Sequence, residues 1–286
     1  MTASLAAAAP TRRRLASRGA TLAVHEWPAL GTPRGTLVAI HGLGDHGGLF
    51  RTVAAALPPA GWHVVAPDLR GHGLSTGGRA VIDRWDDYRA DLGTVLDHVE
   101  ADAPGVPVAW LGQSMGALVA LDAALAWPGR ARALVLAAPP VGDVAVPAPL
   151  LLLARLLSPV WPGLQLRTGM DLAGLAADPA VREALLADPR FHRVGTPRLA
   201  TEFERVRRAV LARAAELDLP LLVLHGTDDT MVPPAGSRAF VARCRGDVTL
   251  REVAGARHAV LADRGHEAVL AEVVAWLGAR VAGGGR

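Results

Sequence analysis

One serine lies at the centre of a pattern that could support nucleophilic catalysis. Residues 112–116 read Gly-Gln-Ser-Met-Gly, a G-x-S-x-G motif around Ser114. A nucleophile elbow needs a strand, a sharp turn and then a helix, with small residues beside the serine because the two backbones nearly touch. The apolar run 106–111 and the helical pattern 117–125 fit that order, so we predict Ser114 as the nucleophile rather than as a helix N-cap. The residues expected to support its turn are Gly112, Gln113 and Gly116.

The same motif occurs a second time, at residues 73–77 around Ser75. This match lies in a glycine-rich loop, without a strand pattern before it or a helical pattern after it. Its composition is typical of a turn, and we do not expect Ser75 to react.

A serine hydroxyl needs a base, and the base needs an acid that orients it. Two aspartates, Asp228 and Asp229, follow an apolar run that predicts a strand, and their position alone leaves the choice between them open. His258 comes just after the last predicted strand and is the candidate base. A rival, His266, begins a helical pattern, where we expect it to cap the helix or face solvent.

An oxyanion hole needs backbone N–H groups that point at the developing negative charge. The residue after the nucleophile, Met115, is expected to provide one, and the tight loop His41-Gly42-Leu43 the other, through the N–H of Leu43. Gly42 allows a close approach of the backbone. We expect the His41 side chain to brace this loop without transferring protons.

These residues need a fold that brings strand ends together. Short apolar runs alternate with longer helical patterns, which is typical of a mostly parallel sheet covered on both faces. The runs are residues 21–27, 35–40, 62–66, 106–111, 133–138, 220–224 and 248–253, and the helical patterns are residues 49–57, 85–100, 115–127, 234–244 and 265–281. Ligand sites in such folds lie beyond the carboxyl ends of strands. We therefore expect the chemistry near residues 40–42, 67–68, 112–114, 138–140 and 225–226.

Residues 142–198 interrupt this alternation, because they combine many prolines with short amphipathic helices and show no strand pattern. We predict a helical cap or lid there, since a structureless loop of that length would be unusual. Its most apolar part, residues 150–157, includes Arg155 and has two interpretations: a helix packed on the main domain, or a lid that contacts an acyl chain or a membrane surface. The core would comprise residues 21–141 and 199–282, preceded by a flexible leader at 1–20.

The composition excludes several classes of protein. The chain has 286 residues, 51% of them hydrophobic, and all 30 residues of the Lys+Arg count are Arg. Without lysine, neither Schiff-base chemistry nor a P-loop is possible. Residues 1–20 hold four Arg and no acid, which leaves 26 Arg against 27 Asp+Glu, a net charge of −1. The body is not basic, so we expect no nucleic-acid partner.

Cys244 is the only cysteine, which excludes an intrachain disulfide and a multi-cysteine zinc site. No run of 18 uninterrupted apolar residues predicts a transmembrane helix. We expect a cytoplasmic enzyme whose membrane contact, through the cap, is at most peripheral and transient.

Five segments together resemble an α/β-hydrolase of the monoacylglycerol lipase and lysophospholipase group, of the serine aminopeptidase S33 type. They are residues 41–46 (His-Gly-Leu-Gly-Asp-His), 68–75 (Asp-Leu-Arg-Gly-His-Gly-Leu-Ser), 112–116, 225–229 (His-Gly-Thr-Asp-Asp) and 255–258 (Gly-Ala-Arg-His). The resemblance covers about residues 21 to 280. It implies the α/β-hydrolase fold, a mostly parallel twisted sheet flanked by helices, with a helical cap inserted after the sixth strand.

The resemblance also implies roles for individual residues. Ser114 becomes the nucleophile and His258 the base, and the family's H-G-x-x-D-x-x-V spacing falls on Asp229, with Val232 three positions later. Leu43 and Met115 provide the oxyanion N–H groups. The chain departs from the family at two places: Gln113 precedes the serine where His is usual, and Ala117 stands where Gly is usual.

We therefore expect a serine carboxylic-ester hydrolase that forms an acyl-enzyme on Ser114 and acts on a small lipid-like ester such as a monoacylglycerol. No metal or organic cofactor is expected. A general esterase, a thioesterase, a cofactor-free haloperoxidase and an aminopeptidase share the same triad and remain open. A hypothesis of a different class is a non-catalytic relative that binds a small molecule or a protein. Such relatives usually lose a triad member, whereas Ser114, Asp229 and His258 are all present here. Acyl-chain length and oligomeric state are left open.

Overall fold

The computed structural model describes residues 9–142 and 148–281, which form an eight-stranded sheet with helices on both faces. The strands are β1 (Thr11–Ser17), β2 (Ala20–Trp27), β3 (Gly35–Ile40), β4 (Trp62–Pro67), β5 (Val108–Gln113), β6 (Leu134–Ala137), β7 (Leu166–Arg167), β8 (Val194–Gly195), β9 (Leu221–Gly226) and β10 (Val248–Val253). The helices are α1 (Arg51–Ala56), α2 (Asp86–Asp102), α3 (Met115–Ala126), α4 (Ala148–Leu157), α5 (Pro179–Ala187), α6 (Pro197–Ala212), α7 (Ala235–Val241) and α8 (His266–Val281). Every strand and helix predicted from the patterns is present.

The large sheet has the order β1-β2-β4-β3-β5-β6-β9-β10 and is parallel from β4 to β10. Its central strands are nearly continuous apolar runs because both faces are covered. Side chains of α2, α3 and α6 build the core on one face, and those of α1 and α8 build the core on the other. The predicted mostly parallel, twisted-sheet α/β fold is confirmed.

The register of the central strands aligns their carboxyl ends. Ile40 lies opposite Gly112, Gln113 opposite Ala137, and Ala137 opposite Leu224. The loops after β3, β5 and β9 therefore emerge at one edge of the sheet, where the candidate site residues meet.

The predicted flexible leader at residues 1–20 is wrong for residues 11–17, which form β1 and pair antiparallel with β2. Arg13 pairs with Glu26 at 3.1 Å, and the Ser17 hydroxyl donates to Asp91 at 2.6 Å. As an edge strand β1 is largely exposed, so it has none of the apolar periodicity by which the other strands were recognised. Residues 1–8 lie outside the described part of the chain.

The cap follows β6, the sixth strand of the chain, but it is not purely helical. Two short strands, β7 and β8, pair antiparallel within it, and two residues each are too few to leave a pattern in the sequence. The predicted core boundary at residue 199 falls inside α6, which runs on from the cap without a break. Residues 143–147 are outside the described part.

Helix α4 packs against α6, as the first interpretation of residues 150–157 predicted, but it has one buried residue, Ala154, so the main domain leaves most of its apolar side chains uncovered. No described helix combines the length and the hydropathy that crossing a bilayer requires.

Candidate active site

Ser114 lies in the sharp turn between β5 and α3, with φ 52° and ψ −123°. A positive φ is uncommon for a residue with a side chain and is found where the surrounding structure enforces it. The flanking glycines show what enforces it: a Cβ on Gly116 would lie 2.1 Å from the Ile40 oxygen, and one on Gly112 would lie 2.5 Å from the Ala117 Cα. The strand–turn–helix predicted around Ser114 is present.

The loops after β9 and β10 bring Asp229 and His258 into contact. His258 Nδ1 lies 2.8 Å from Asp229 Oδ2, and both side chains are buried. Burial alone would raise the pKa of the Asp229 carboxyl, but hydrogen bonds from His225 and His258 hold that pKa well below its ordinary value. Asp228 is exposed and accepts a hydrogen bond from the neighbouring Thr227 hydroxyl at 2.8 Å. Of the two candidate acids, the structure brings Asp229 to the histidine.

The loop after β3 carries the predicted oxyanion donor and is braced by His41. Its Nδ1 donates to the Gly42 oxygen at 2.7 Å, and its Nε2 accepts the Leu69 N–H at 2.9 Å. These roles require neutral imidazole, and burial lowers the pKa of His41 to about 4. The side chain therefore holds the loop, as the sequence predicted.

Asp68 anchors the same loop from below. Its carboxylate accepts hydrogen bonds from the backbone N–H groups of Gly47 and Leu74, each at 2.7 Å. His25 Nε2 lies 3.0 Å from the same carboxylate. Within the described ranges, His25, His46 and Asp68 form a group with metal-ligand atoms inside 4.8 Å. The backbone hydrogen bonds already occupy the carboxylate oxygens, so the chemistry of this group favours a structural anchor over a metal ligand.

The two rival residues are used elsewhere. The Ser75 hydroxyl donates to the Asp68 oxygen at 2.6 Å and accepts the Ala23 N–H at 2.8 Å. His266 is the first residue of α8, the helix start at which it was predicted, and its Nδ1 lies 3.0 Å from the backbone oxygen of Asp263. Neither is among the residues that line the cavity described next.

A cavity of about 400 Å³ lies between the sheet edge and the cap. Ser114, His258, Leu43 and Met115 line its floor, and cap residues form its roof. Most of the roof is apolar, including Leu150, Leu153, Leu157, Phe191 and Phe203. This volume falls in the range of small-molecule sites, and the lining suits a hydrophobic ligand.

Asp45, to which the sequence motifs assign no role, also lines this cavity. Loss of hydration raises the pKa of its carboxyl to about 6, partly opposed by nearby His258. Asp45 lies in the segment 41–46, on which the family resemblance rests. Its position in that segment is the feature of the sequence that could have identified it. Asp45 adds a carboxyl group to a cavity whose lining is mostly apolar.

Asp263, also missed, ties the His258 loop to the cap. Its carboxylate accepts the N–H groups of Arg257 at 3.0 Å, Ala177 at 2.8 Å and Asp178 at 3.0 Å. Sequence alone could not find it, since Asp263 and Ala177 are 86 residues apart. The cap thus supports the loop that carries the histidine.

Comparisons with known proteins show which family the chain belongs to. The family model for serine aminopeptidase, S33, matches residues 31–265. A monoacylglycerol lipase of Mycolicibacterium smegmatis is 33% identical over 262 residues, covering 91% of this chain and 93% of that protein. The crystal structure of Paleococcus ferrophilus monoacylglycerol lipase matches with a TM-score of 0.83 at 27% identity, covering 91% of this chain and 99% of that one.

A soluble variant of the Saccharomyces cerevisiae monoglyceride lipase, in complex with a substrate analogue, matches with a TM-score of 0.87 at 24% identity over 96% of both chains. At that identity the likeness concerns the fold. The chain therefore belongs to the serine aminopeptidase S33 family of α/β-hydrolases and is a carboxylic ester hydrolase similar to monoacylglycerol lipases.

Proposed function

We propose that the chain hydrolyses monoacylglycerols through a triad of Ser114, His258 and Asp229. The observation that carries this proposal is the meeting of two features in one cavity: the strained elbow of Ser114 and the His258–Asp229 pair. Because His258 Nδ1 donates to Asp229, its Nε2 is left free to accept the serine proton. This is the arrangement that a serine nucleophile needs.

The reaction proceeds through an acyl-enzyme. Ser114 Oγ attacks the ester carbonyl carbon while His258 takes the hydroxyl proton, and the carbonyl oxygen gains negative charge. Met115 is the first residue of α3, so its N–H has no acceptor within the helix, and with the Leu43 N–H it stabilises that oxygen. His258 then protonates the departing alcohol. A water molecule repeats the sequence on the acyl-enzyme and releases the fatty acid.

The substrate class rests on the shape and lining of the cavity and on the relatives. The apolar roof fits an acyl chain, and the Asp45 carboxylate at the catalytic end can accept hydrogen bonds from the hydroxyl groups of a glycerol. The M. smegmatis and P. ferrophilus relatives are named monoacylglycerol lipases. Together these observations favour a monoacylglycerol over a peptide or a halide substrate.

The test is hydrolysis of a panel of monoacylglycerols, lysophospholipids and nitrophenyl esters by the wild type and by Ser114→Ala. We expect Ser114→Ala to abolish turnover of every ester, and monoacylglycerols to be the best natural substrates. Ser75→Ala is the matched control, because that hydroxyl serves the Asp68 loop, and the variant should keep its activity. Turnover that survives Ser114→Ala would overturn the proposal.

We further propose that residues 142–198 act as a cap whose outer face contacts a lipid surface. Of the ten large apolar side chains exposed in the described residues, seven lie between residues 150 and 166. Leu150, Leu153 and Leu166 also line the cavity, so the outer face consists of Leu152, Leu156, Val160 and Trp161. An apolar helix face beside an exposed tryptophan and Arg155 suits the interface of a bilayer, where acyl substrates reside.

Flotation with phosphatidylcholine vesicles tests this contact. We expect the wild type to float with the vesicles and Leu152→Glu/Leu156→Glu to remain in solution, with unchanged turnover of a soluble ester, because neither leucine lines the cavity. Leu186→Glu is the control, since Leu186 is an exposed leucine on α5. A wild type that fails to float would refute the proposal, and a dimer broken by the same two changes would assign this face to a second copy.

A further inference from the structure

His225 is a buried histidine that the mechanism above leaves without a role. It lies near the end of β9, is fully buried, and is not among the residues that line the cavity. Its Nδ1 is 2.7 Å from the Ser237 hydroxyl, and its Nε2 is 2.8 Å from the Val232 oxygen and 3.2 Å from Asp229 Oδ2. The ring therefore contacts the candidate catalytic carboxylate from outside the cavity.

The contacts determine which nitrogen carries the proton. A backbone carbonyl can only accept, so Nε2 must bear a hydrogen, which it shares between the Val232 oxygen and Asp229 Oδ2. In the neutral ring Nδ1 then accepts the hydroxyl hydrogen of Ser237. Both nitrogens of a neutral His225 are satisfied in this tautomer.

The carboxylate of Asp229 is saturated with donors as a result. Oδ2 receives the N–H of His258 at 2.8 Å and that of His225 at 3.2 Å, and Oδ1 receives the backbone N–H groups of Met231 and Val232, each at 2.9 Å. Because His225 also holds the Val232 oxygen, it fixes both ends of the turn 229–232. The carboxylate cannot rotate away from His258 without breaking several of these bonds.

We propose that His225 is a positioning residue that holds Asp229 in register with His258 and shares the oxygen to which His258 donates. The proposal rests on the triad proposed above. Sharing has a second consequence: a carboxylate oxygen with two donors is less basic than one with a single donor. His225 thus sets both the orientation of the imidazole and the strength of its bond to Asp229.

Two substitutions separate these roles from simple packing. His225→Met fills similar space without a donor, whereas His225→Gln can place an amide N–H near the position of Nε2. We expect His225→Met to lower kcat by about 10-fold to 100-fold, the range for a hydrogen bond to a charged group, with KM for a soluble ester unchanged. His225→Gln should recover a substantial part of kcat.

The pH profile supplies a readout that a merely structural role would not move. Without the second donor Asp229 is more basic and holds the protonated imidazole more strongly, so the acid limb of kcat/KM should shift to higher pH in His225→Met and return in His225→Gln. Asp229 and Asp45 are the titratable groups facing His258, and Asp229 and Glu252 are those near His225. Repeating the profile in an Asp45→Asn background excludes Asp45 as the source of the shift.

Ser237→Ala controls for stability, because it removes the partner on the other side of the ring and leaves the Nε2 donor to Asp229 in place. It should lower Tm without moving the acid limb. If His225→Met does not fold, His225→Asn, whose amide reaches only the Ser237 side, should show the same shifted limb. A Met or Asn variant with wild-type kcat and an unshifted profile would overturn the proposal, whereas activity surviving Ser114→Ala would instead overturn the proposed function.

Discussion

The sheet buries its apolar side chains, whereas the cap leaves many of its own exposed. All six residues of β9 are buried, whereas α4, which is also rich in leucine, buries only Ala154 and leaves Leu156 65% exposed. The sheet has helices on both faces, so any side chain on a central strand is covered. Helix α4 packs against α6 and roofs the cavity, and nothing in the described part of the chain covers its outer face. The hydrophobicity of a segment therefore does not decide whether it is buried.

The proposed catalytic residues lie in the sheet region, so the largest effect is expected there. Asp229→Asn should lower kcat by about 10⁴-fold, because the imidazole loses its orienting anion. Asp228→Asn, one residue away and exposed, should leave kcat within about 2-fold, as expected for surface changes. Steady-state kinetics on a nitrophenyl ester measure both, and a larger loss at Asp228 would reverse the assignment of the acid.

A matched pair of leucines tests the comparison directly. Leu222→Ala, on β9, removes a fully buried side chain and should lower the free energy of unfolding by about 3 kcal/mol. Leu156→Ala, on α4, should change it by less than about 0.5 kcal/mol. Urea denaturation followed by circular dichroism measures both values. Equal losses would mean that the outer face of α4 is covered in solution.

The contact between the core and the cap should become less stable at low pH. The rings of His72 in the core and His192 in the cap lie 4.8 Å apart, and burial lowers the pKa of both, that of His192 to about 4. A histidine whose folded pKa lies below its unfolded value of about 6.5 favours unfolding once protonated, so stability falls from about pH 6.5 towards pH 4. Asp45 and Asp122 act with the opposite sign, since burial raises the pKa of both carboxyls, that of Asp45 to about 6, but they are two groups against several histidines.

We therefore expect Tm to fall by about 2–8 °C between pH 7.5 and pH 4.5, as a change of one to two kcal/mol would produce in a domain of this size. Thermal denaturation across that range measures it. A constant Tm would show that the buried histidines take up protons without opposing folding.

Particular elements show what sequence could predict. The central strands and the elbow have strong local patterns, because a strand covered on both faces must be apolar throughout and a turn this tight must have glycine on either side. The edge strand β1 and the short pair β7–β8 have no such pattern, since their residues are mostly exposed. They exist through pairing with a neighbour, which a single segment does not reveal.

The same distinction applies to the site. The sequence alone singled out Ser114 and His258, and with the family resemblance it selected Asp229, because the chemistry demands those residue types after strand ends in that order. Only the tertiary structure brought His225, Asp263 and Asp45 to them. Asp263 reaches Ala177, 86 residues away, and the short-range contact of His225 with Asp229 depends on how the loop after β9 folds. The physical reason is range: turns and strands are determined by neighbouring residues, whereas the second layer of hydrogen bonds and the exposed face of the cap are determined by what packs against them.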